Sequence, residues 1–94
     1  MKLGLDKLDK SRNYDYYNLT KLPMNGTFRK ITLNFTAEGF LLANDSGNVI
    51  EVSFDGTNTH FELLVGEVLT RDNWGLNEIW LKAPTGTNYR LSIW

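Results

Sequence analysis

Ninety-four residues, 41% of them hydrophobic and including 5 Phe, 4 Tyr and 3 Trp, hold one small domain with a core of its own and leave no room for a second. Ten Lys and Arg against eleven Asp and Glu give a net charge of −1, so no positive excess draws the chain to phosphate backbones or anionic lipid. The absence of cysteine excludes disulfide scaffolds, thiolate metal sites and Cys nucleophiles.

The first 26 residues differ in pattern from the rest. Leu3, Leu5 and Leu8 would line one side of a short helix, but Gly4 lies inside it and no good cap precedes it, so an extended arm is expected there. Asn13 to Thr20 has the aromatic and Thr content of a strand, and Pro23 with Asn25-Gly26 separates it from the segment beginning at Thr27. The division expected is an N-terminal arm over 1–26 and a core over 27–94.

From Arg29 the rhythm is that of strands and turns. In Arg29 to Phe35, Ile31, Leu33 and Phe35 share one face and Lys30, Thr32 and Asn34 the other. Gly39 to Ala43 is a short apolar run, Asn44 to Asn48 is a turn, and Val49 to Phe54 alternates again with Ile50, Val52 and Phe54 inward before Asp55-Gly56 breaks it. His60 to Leu64 reads as a strand, Val65-Gly66-Glu67 as a tight connection, and Val68 to Thr70 as a further short strand. Glu78 to Lys82 alternates with Ile79 and Leu81 inward, and Tyr89 to Trp94 is the last strand. Seven or eight short strands with turns at this spacing predict an all-β, single-domain antiparallel β-sandwich of jelly-roll or immunoglobulin-like type.

Catalytic signatures are absent from the sequence. A single histidine, His60, at a loop-to-strand junction cannot build a His-rich metal site, and no G-x-S-x-G elbow, phosphate-cradling Gly loop or H-E-x-x-H run occurs. Asp6 to Ser11 fails the EF-hand template, because Leu8 and Lys10 fall on ligand positions and Ser11 where Gly must turn the chain. Asp45 and Asp55 fit turns whose carboxylates bond their own backbone. Of the carboxylates available for glycoside hydrolysis, Glu38, Glu51, Glu62, Glu67 and Glu78, three (Glu51, Glu62 and Glu78) alternate with inward apolar residues and read as solvated strand faces. No cofactor, no metal and no catalytic residue is expected. Asn18, Asn25, Asn34 and Asn44 stand in Asn-x-Ser/Thr sequons. Acidic residues interrupt Met1 to Lys10, no run reaches the roughly 20 apolar residues of a membrane span, and synthesis in a cytoplasm is expected.

The aromatic residues are the candidates for binding. Trp80 falls opposite Ile79 and Leu81, and Trp94 is in phase with Arg90 and Ser92 rather than Leu91 and Ile93, so both are expected on outer faces. Such a Trp is either covered by the chain's own arm or loops, or meets a protein partner, or stacks on a sugar. Tyr14, Tyr16 and Tyr17 are anchors of the same kind in the arm. The partner-binding residues expected are therefore Tyr14, Tyr16, Tyr17, Trp80 and Trp94.

From Ile31 to Trp94 the order of segments resembles small virion structural proteins of tailed bacteriophages. The resemblance rests on Phe40 to Asp45, on Val52-Ser53-Phe54-Asp55-Gly56, on Phe61 to Glu67 with Leu69-Thr70, and on Ile79 to Lys82 before Tyr89-Arg90-Leu91. Val65 stands where that pattern commonly has Pro. The resemblance implies a non-enzymatic assembly subunit of the virion, a capsid decoration or cement protein first, with a head–tail connector or tail component as the alternative. It implies a symmetric homo-oligomer, such as a trimer, with capsid or other virion proteins as partners and with neither nucleic acid nor membrane. A carbohydrate-binding module with Trp74, Trp80 and Trp94 as its stacking platform is the reading from a different class.

Overall fold

The computed structural model describes residues 14–72 and 75–94. They form eight strands: β1 (Asp15–Asn18), β2 (Arg29–Ala37), β3 (Phe40–Asn44), β4 (Ile50–Ser53), β5 (Phe61–Leu63), β6 (Val68–Arg71), β7 (Leu76–Lys82) and β8 (Tyr89–Ile93). One sheet has the order β1-β8-β3-β6 and the other β2-β7-β4-β5, with every pairing antiparallel. Every connection except the β4–β5 hairpin crosses from one sheet to the other. Of the two topologies the sequence left open, this order is the jelly roll.

Strict alternation puts one face of each sheet inside. Ile31, Leu42, Ile50, Val52, Ile79, Leu81, Leu91 and Ile93 are fully buried between the sheets, with Phe40 and Tyr89 as the largest side chains. Each such aliphatic side chain is worth roughly 1.5–3 kcal/mol of transfer free energy. β2 keeps the expected face as far as Leu33, but its register against β7 shifts between Thr32 and Ala37, and Phe35 ends only partly buried. A bulge of this kind twists an edge strand away from further pairing.

The segment expected to be an extended arm is only partly described. Leu3, Leu5 and Leu8 lie outside the described residues, whereas 15–26 are built into the sandwich. β1 pairs with β8 over four residues, from Asp15 opposite Ile93 to Asn18 opposite Arg90. Met24 is 1% exposed and belongs to the core. The Tyr89 hydroxyl donates to the Leu22 carbonyl at 2.6 Å, the Arg29 guanidinium to the Pro23 carbonyl at 2.6 Å, and the Gly26 amide to the Ala83 carbonyl at 2.8 Å. Burial pushes the Tyr89 phenol up to about 12. Pro23 and Asn25-Gly26 therefore mark a crossing between sheets, not the border of a tail, because β8 offers an edge that β1 fills.

Asn44 ties the two sheets together. It is the last residue of β3, only 2% exposed, and its amide donates to the carbonyls of Asn48, Leu63 and Leu64 at 2.6, 3.0 and 3.2 Å. Its oxygen accepts from the Ser46 amide and hydroxyl at 3.0 and 2.7 Å. One buried side chain thus fixes the β3–β4 turn and the end of β5 at once. The Asp45 amide bonds the Asn88 carbonyl and the Asn48 side chain reaches the Thr87 hydroxyl. The connections 19–28, 45–49, 64–67 and 83–88 accordingly gather at one end of the sandwich.

This packing has two measurable consequences. A chain of residues 27–94 lacks β1, Met24 and the partner of Tyr89, and it is expected to lose near-ultraviolet circular dichroism and cooperative melting; a wild-type melting curve from that fragment contradicts the packing. Asn44→Ala takes this donor from the buried Leu63 carbonyl and is expected to cost roughly 1–3 kcal/mol by urea unfolding, whereas a change under about 0.5 kcal/mol would mean the amide is not a tie.

Candidate functional site

The outer faces of the two sheets differ in chemistry. On the β2-β7-β4-β5 sheet, the register places Lys30 in line with Trp80 and Ser53, Thr32 beside Glu78, and Lys82 in line with Glu51 and Glu62. Lys30 reaches Glu78 at 3.0 Å and Lys82 reaches Glu51 at 4.0 Å. Glu51 also accepts from the Thr59 hydroxyl at 2.6 Å, and Glu67 accepts from the Leu64 amide at 2.7 Å. These carboxylates are spent on surface ion pairs and turns, and such pairs stabilise little individually while keeping a face wet.

On the β1-β8-β3-β6 sheet, the outer face carries little charge among the described residues, namely Arg90 and, beside Trp94, Asp72. Tyr16, Ser92, Leu41 and Thr70 align across all four strands. The next row is Asn18, Arg90, Ala43 and Val68, in which Arg90 is the single charge. Arg90 is held by Asp45 through two bonds of 2.6 and 3.1 Å, and this partner keeps the Asp45 carboxyl below the usual carboxylate range. Beyond Tyr16 the face continues to Tyr14, 61% exposed, with its hydroxyl 3.5 Å from the Ser92 hydroxyl. At the other side Val68 is 57% exposed and borders an open groove of about 380 Å³ lined by Ala43, Asn44, Asp45, Ser46, Val65, Gly66, Glu67 and Arg90. Depletion of charge with enrichment in Tyr and aliphatic side chains is the composition of an interface centre.

The five expected binding aromatics do not form one group. Tyr14 and Tyr16 stand on the low-charge face. Tyr17 points the opposite way and, partly buried, packs against the core, with the Lys21 ammonium 4.3 Å from its ring centroid. Burial, then the adjacent Asp15, raises its phenol pKa.

Trp80 and Trp94 are outward, as their phase requires, but each is half-covered by this chain's own loops. A Cβ at Gly56 would stand 2.8 Å from the Trp80 indole, so the β4–β5 loop lies against that ring, while Lys30 sits 5.5 Å over it. Trp94 lies against Gly39, where a Cβ would also overlap the Arg71 carbonyl oxygen, and its indole N–H donates to Asp72 at 3.3 Å. The two rings belong to different sheets and share no platform; Trp74 lies outside the described residues.

The loop that covers Trp80 is held by Asp55. Its carboxylate accepts from the Thr57 and Asn58 amides at 2.8 Å each, from the Asn58 side chain at 2.8 Å and from the Ser53 hydroxyl at 3.0 Å. These bonds, led by the one from the Asn58 amide, set its pKa far below the ordinary value of 3.8. His60 closes the loop by accepting the Phe54 amide on Nδ1 at 3.1 Å, with its ring 5.4 Å from that of Phe54. Leu41, Thr70, Ser92 and Val68 went unnoticed as candidates in the sequence; the signal available was their outward phase, each in a different strand.

No family model, no curated protein and no solved structure matches this chain.

The Asp55 turn yields a pH test. Its depressed pKa means that its contribution to stability is complete above about pH 4, the unfolded value, and fades as pH falls below it. The stability difference between wild type and Asp55→Asn, from urea melts at pH 7, 5, 4 and 3, is expected to shrink toward acid. A difference independent of pH contradicts the role of the carboxylate.

Proposed function

We propose that this jelly roll is a non-catalytic structural subunit that works by attachment, as a capsid decoration or cement protein of a tailed-phage particle. The observation that carries this reading is the contrast between the two outer faces, one laced with Lys–Glu pairs and the other presenting Tyr14, Tyr16, Leu41 and Val68 around a single neutralised arginine. A surface of that composition gains free energy when water leaves it, and it holds a partner through area instead of through a reactive group. The jelly roll is used by viral capsid proteins as well as by lectins and cupins, so the wiring is compatible with the virion reading without selecting it. The resemblance of Ser53-Phe54-Asp55-Gly56 and the segments around it to small virion proteins supplies that selection.

The sugar-binding alternative needs coplanar exposed rings, and Trp80 and Trp94, on different sheets, do not share one platform. A head–tail or tail position differs from decoration by copy number, because closed rings at the neck carry few subunits and a shell carries many.

Quantitative mass spectrometry of particles made by the genome that encodes this chain tests the proposal. A signal comparable to that of the major shell protein is expected. A few copies per particle would place the subunit at the neck or tail, and its absence from purified particles would overturn the virion reading.

A further inference from the structure

We propose that the outer face of the β1-β8-β3-β6 sheet pairs with the same face of a second copy of this chain, about a two-fold axis. This pairing rests on the reading of the face as the attachment surface and names its occupant.

Four features favour a second copy over a charged partner or an added strand. First, the central row carries no charge, and the one arginine of the neighbouring row is already matched within the chain by Asp45. A row of this kind can meet itself without like-charge repulsion, and with only the Asp72 carboxylate beyond it, bound to the Trp94 indole, the face offers little complementary charge to an acidic or basic partner. Secondly, the row holds the hydroxyls of Tyr16, Ser92 and Thr70, which both donate and accept and so can pair across a symmetry axis with identical groups.

Thirdly, the open edges of this sheet are blunted. On β1 the Tyr16 amide is taken by the Asp15 carboxylate at 2.9 Å, which also binds Lys21 at 2.9 Å. On β6 the Arg71 guanidinium donates to the Thr70 carbonyl at 2.8 Å. Edge strands occupied in this way resist strand addition and leave the face as the route of association. Fourthly, the size is adequate for a weak pairing. Four strands about 4.8 Å apart and about five residues long present a face roughly 19 by 17 Å. With its relief and the exposed Val65 and Val68 rim, two copies bury no more than about 1,000 Å², below the roughly 1,200–2,000 Å² of stable interfaces and in the range of weak, transient ones. The pairing is accordingly concentration-dependent, with a dissociation constant in the micromolar range or weaker.

Sedimentation equilibrium of the full chain from about 10 μM to about 1 mM reads this directly. The average mass is expected to rise from 10.8 kDa toward twice that value. Thr70→Lys and Tyr16→Lys each place an unpaired ammonium in the buried face and are expected to weaken the association at least about tenfold. Glu62→Lys, on the outer face of the other sheet, is expected to leave it unchanged. Thermal melts confirm that each variant remains folded.

A mass fixed at 10.8 kDa throughout the range overturns the proposal, as does an association that both lysine variants leave intact, or one that continues beyond two copies. Failure here is separable from failure of the virion reading. A monomer in solution that is abundant in particles refutes the pairing alone, and a dimer missing from every particle refutes the virion assignment alone.

Discussion

The pairing of β1 with β8 is the constraint on which the rest of this molecule depends. It joins the start of the described chain to its end, gives the sheet its fourth strand and carries the polypeptide past Leu22 and Met24 into the second sheet. Contacts so distant in sequence are closed late and at an entropic cost, so they persist only if the strands they bring together bury enough apolar area. Here that area is the row Tyr17, Leu91, Leu42 and Leu69 on the inner face. The same pairing puts Tyr16 beside Ser92 on the outside, so the core and the candidate surface are two faces of one register.

From that register the division of labour between the sheets follows. A sandwich must solvate two outer faces, and this one does so unequally. The β2-β7-β4-β5 sheet uses lysine and glutamate and packs Trp80 beneath the Asp55 loop and the Lys30 stem. The other sheet leaves tyrosine, leucine and valine at its surface, with the Arg90–Asp45 pair and the Asp72 carboxylate beside Trp94 as its charges among the described residues. Edges are blunted by carboxylate or guanidinium capping of backbone groups on β1 and β6 and by the bulge in β2. A sheet whose two edges are blunted and whose outer face is low in charge among the described residues is suited to association through the face.

Much of the fold was legible in the sequence because alternation is a strong signal. Ile31 and Leu33, Ile50 and Val52, Ile79 and Leu81, and Leu91 and Ile93 fell on the buried side as their spacing required. The wiring was not legible, since several Greek keys satisfy the same alternation and only pairing distinguishes them. The place of residues 15–26 in the sandwich was not legible for a related reason. Pro23 and Asn25-Gly26 look alike whether they end a tail or cross between sheets, and Met24 is buried only in a core assembled from strands distant in sequence. The candidate face was only half visible. Tyr14, Tyr16 and Trp94 stood out by size and phase, while Tyr17 was drawn in with its neighbours although its phase turns it to the core. Leu41, Thr70 and Ser92 are ordinary one at a time and become a surface only when three pairings align them with Tyr16. Asn44 shows the same limit: its Asn-Asp-Ser-Gly-Asn context reads as a solvated turn, yet its side chain is the buried tie between β3 and β5.

Contact through the outer face of the β1-β8-β3-β6 sheet is tested residue by residue by nuclear magnetic resonance of ¹⁵N-labelled protein in a dilution series. Concentration-dependent shifts are expected at Tyr16, Leu41, Thr70 and Ser92, with Lys30, Glu62 and Glu78 unmoved. Shifts gathered on the Lys–Glu face, or none on either face, would contradict it.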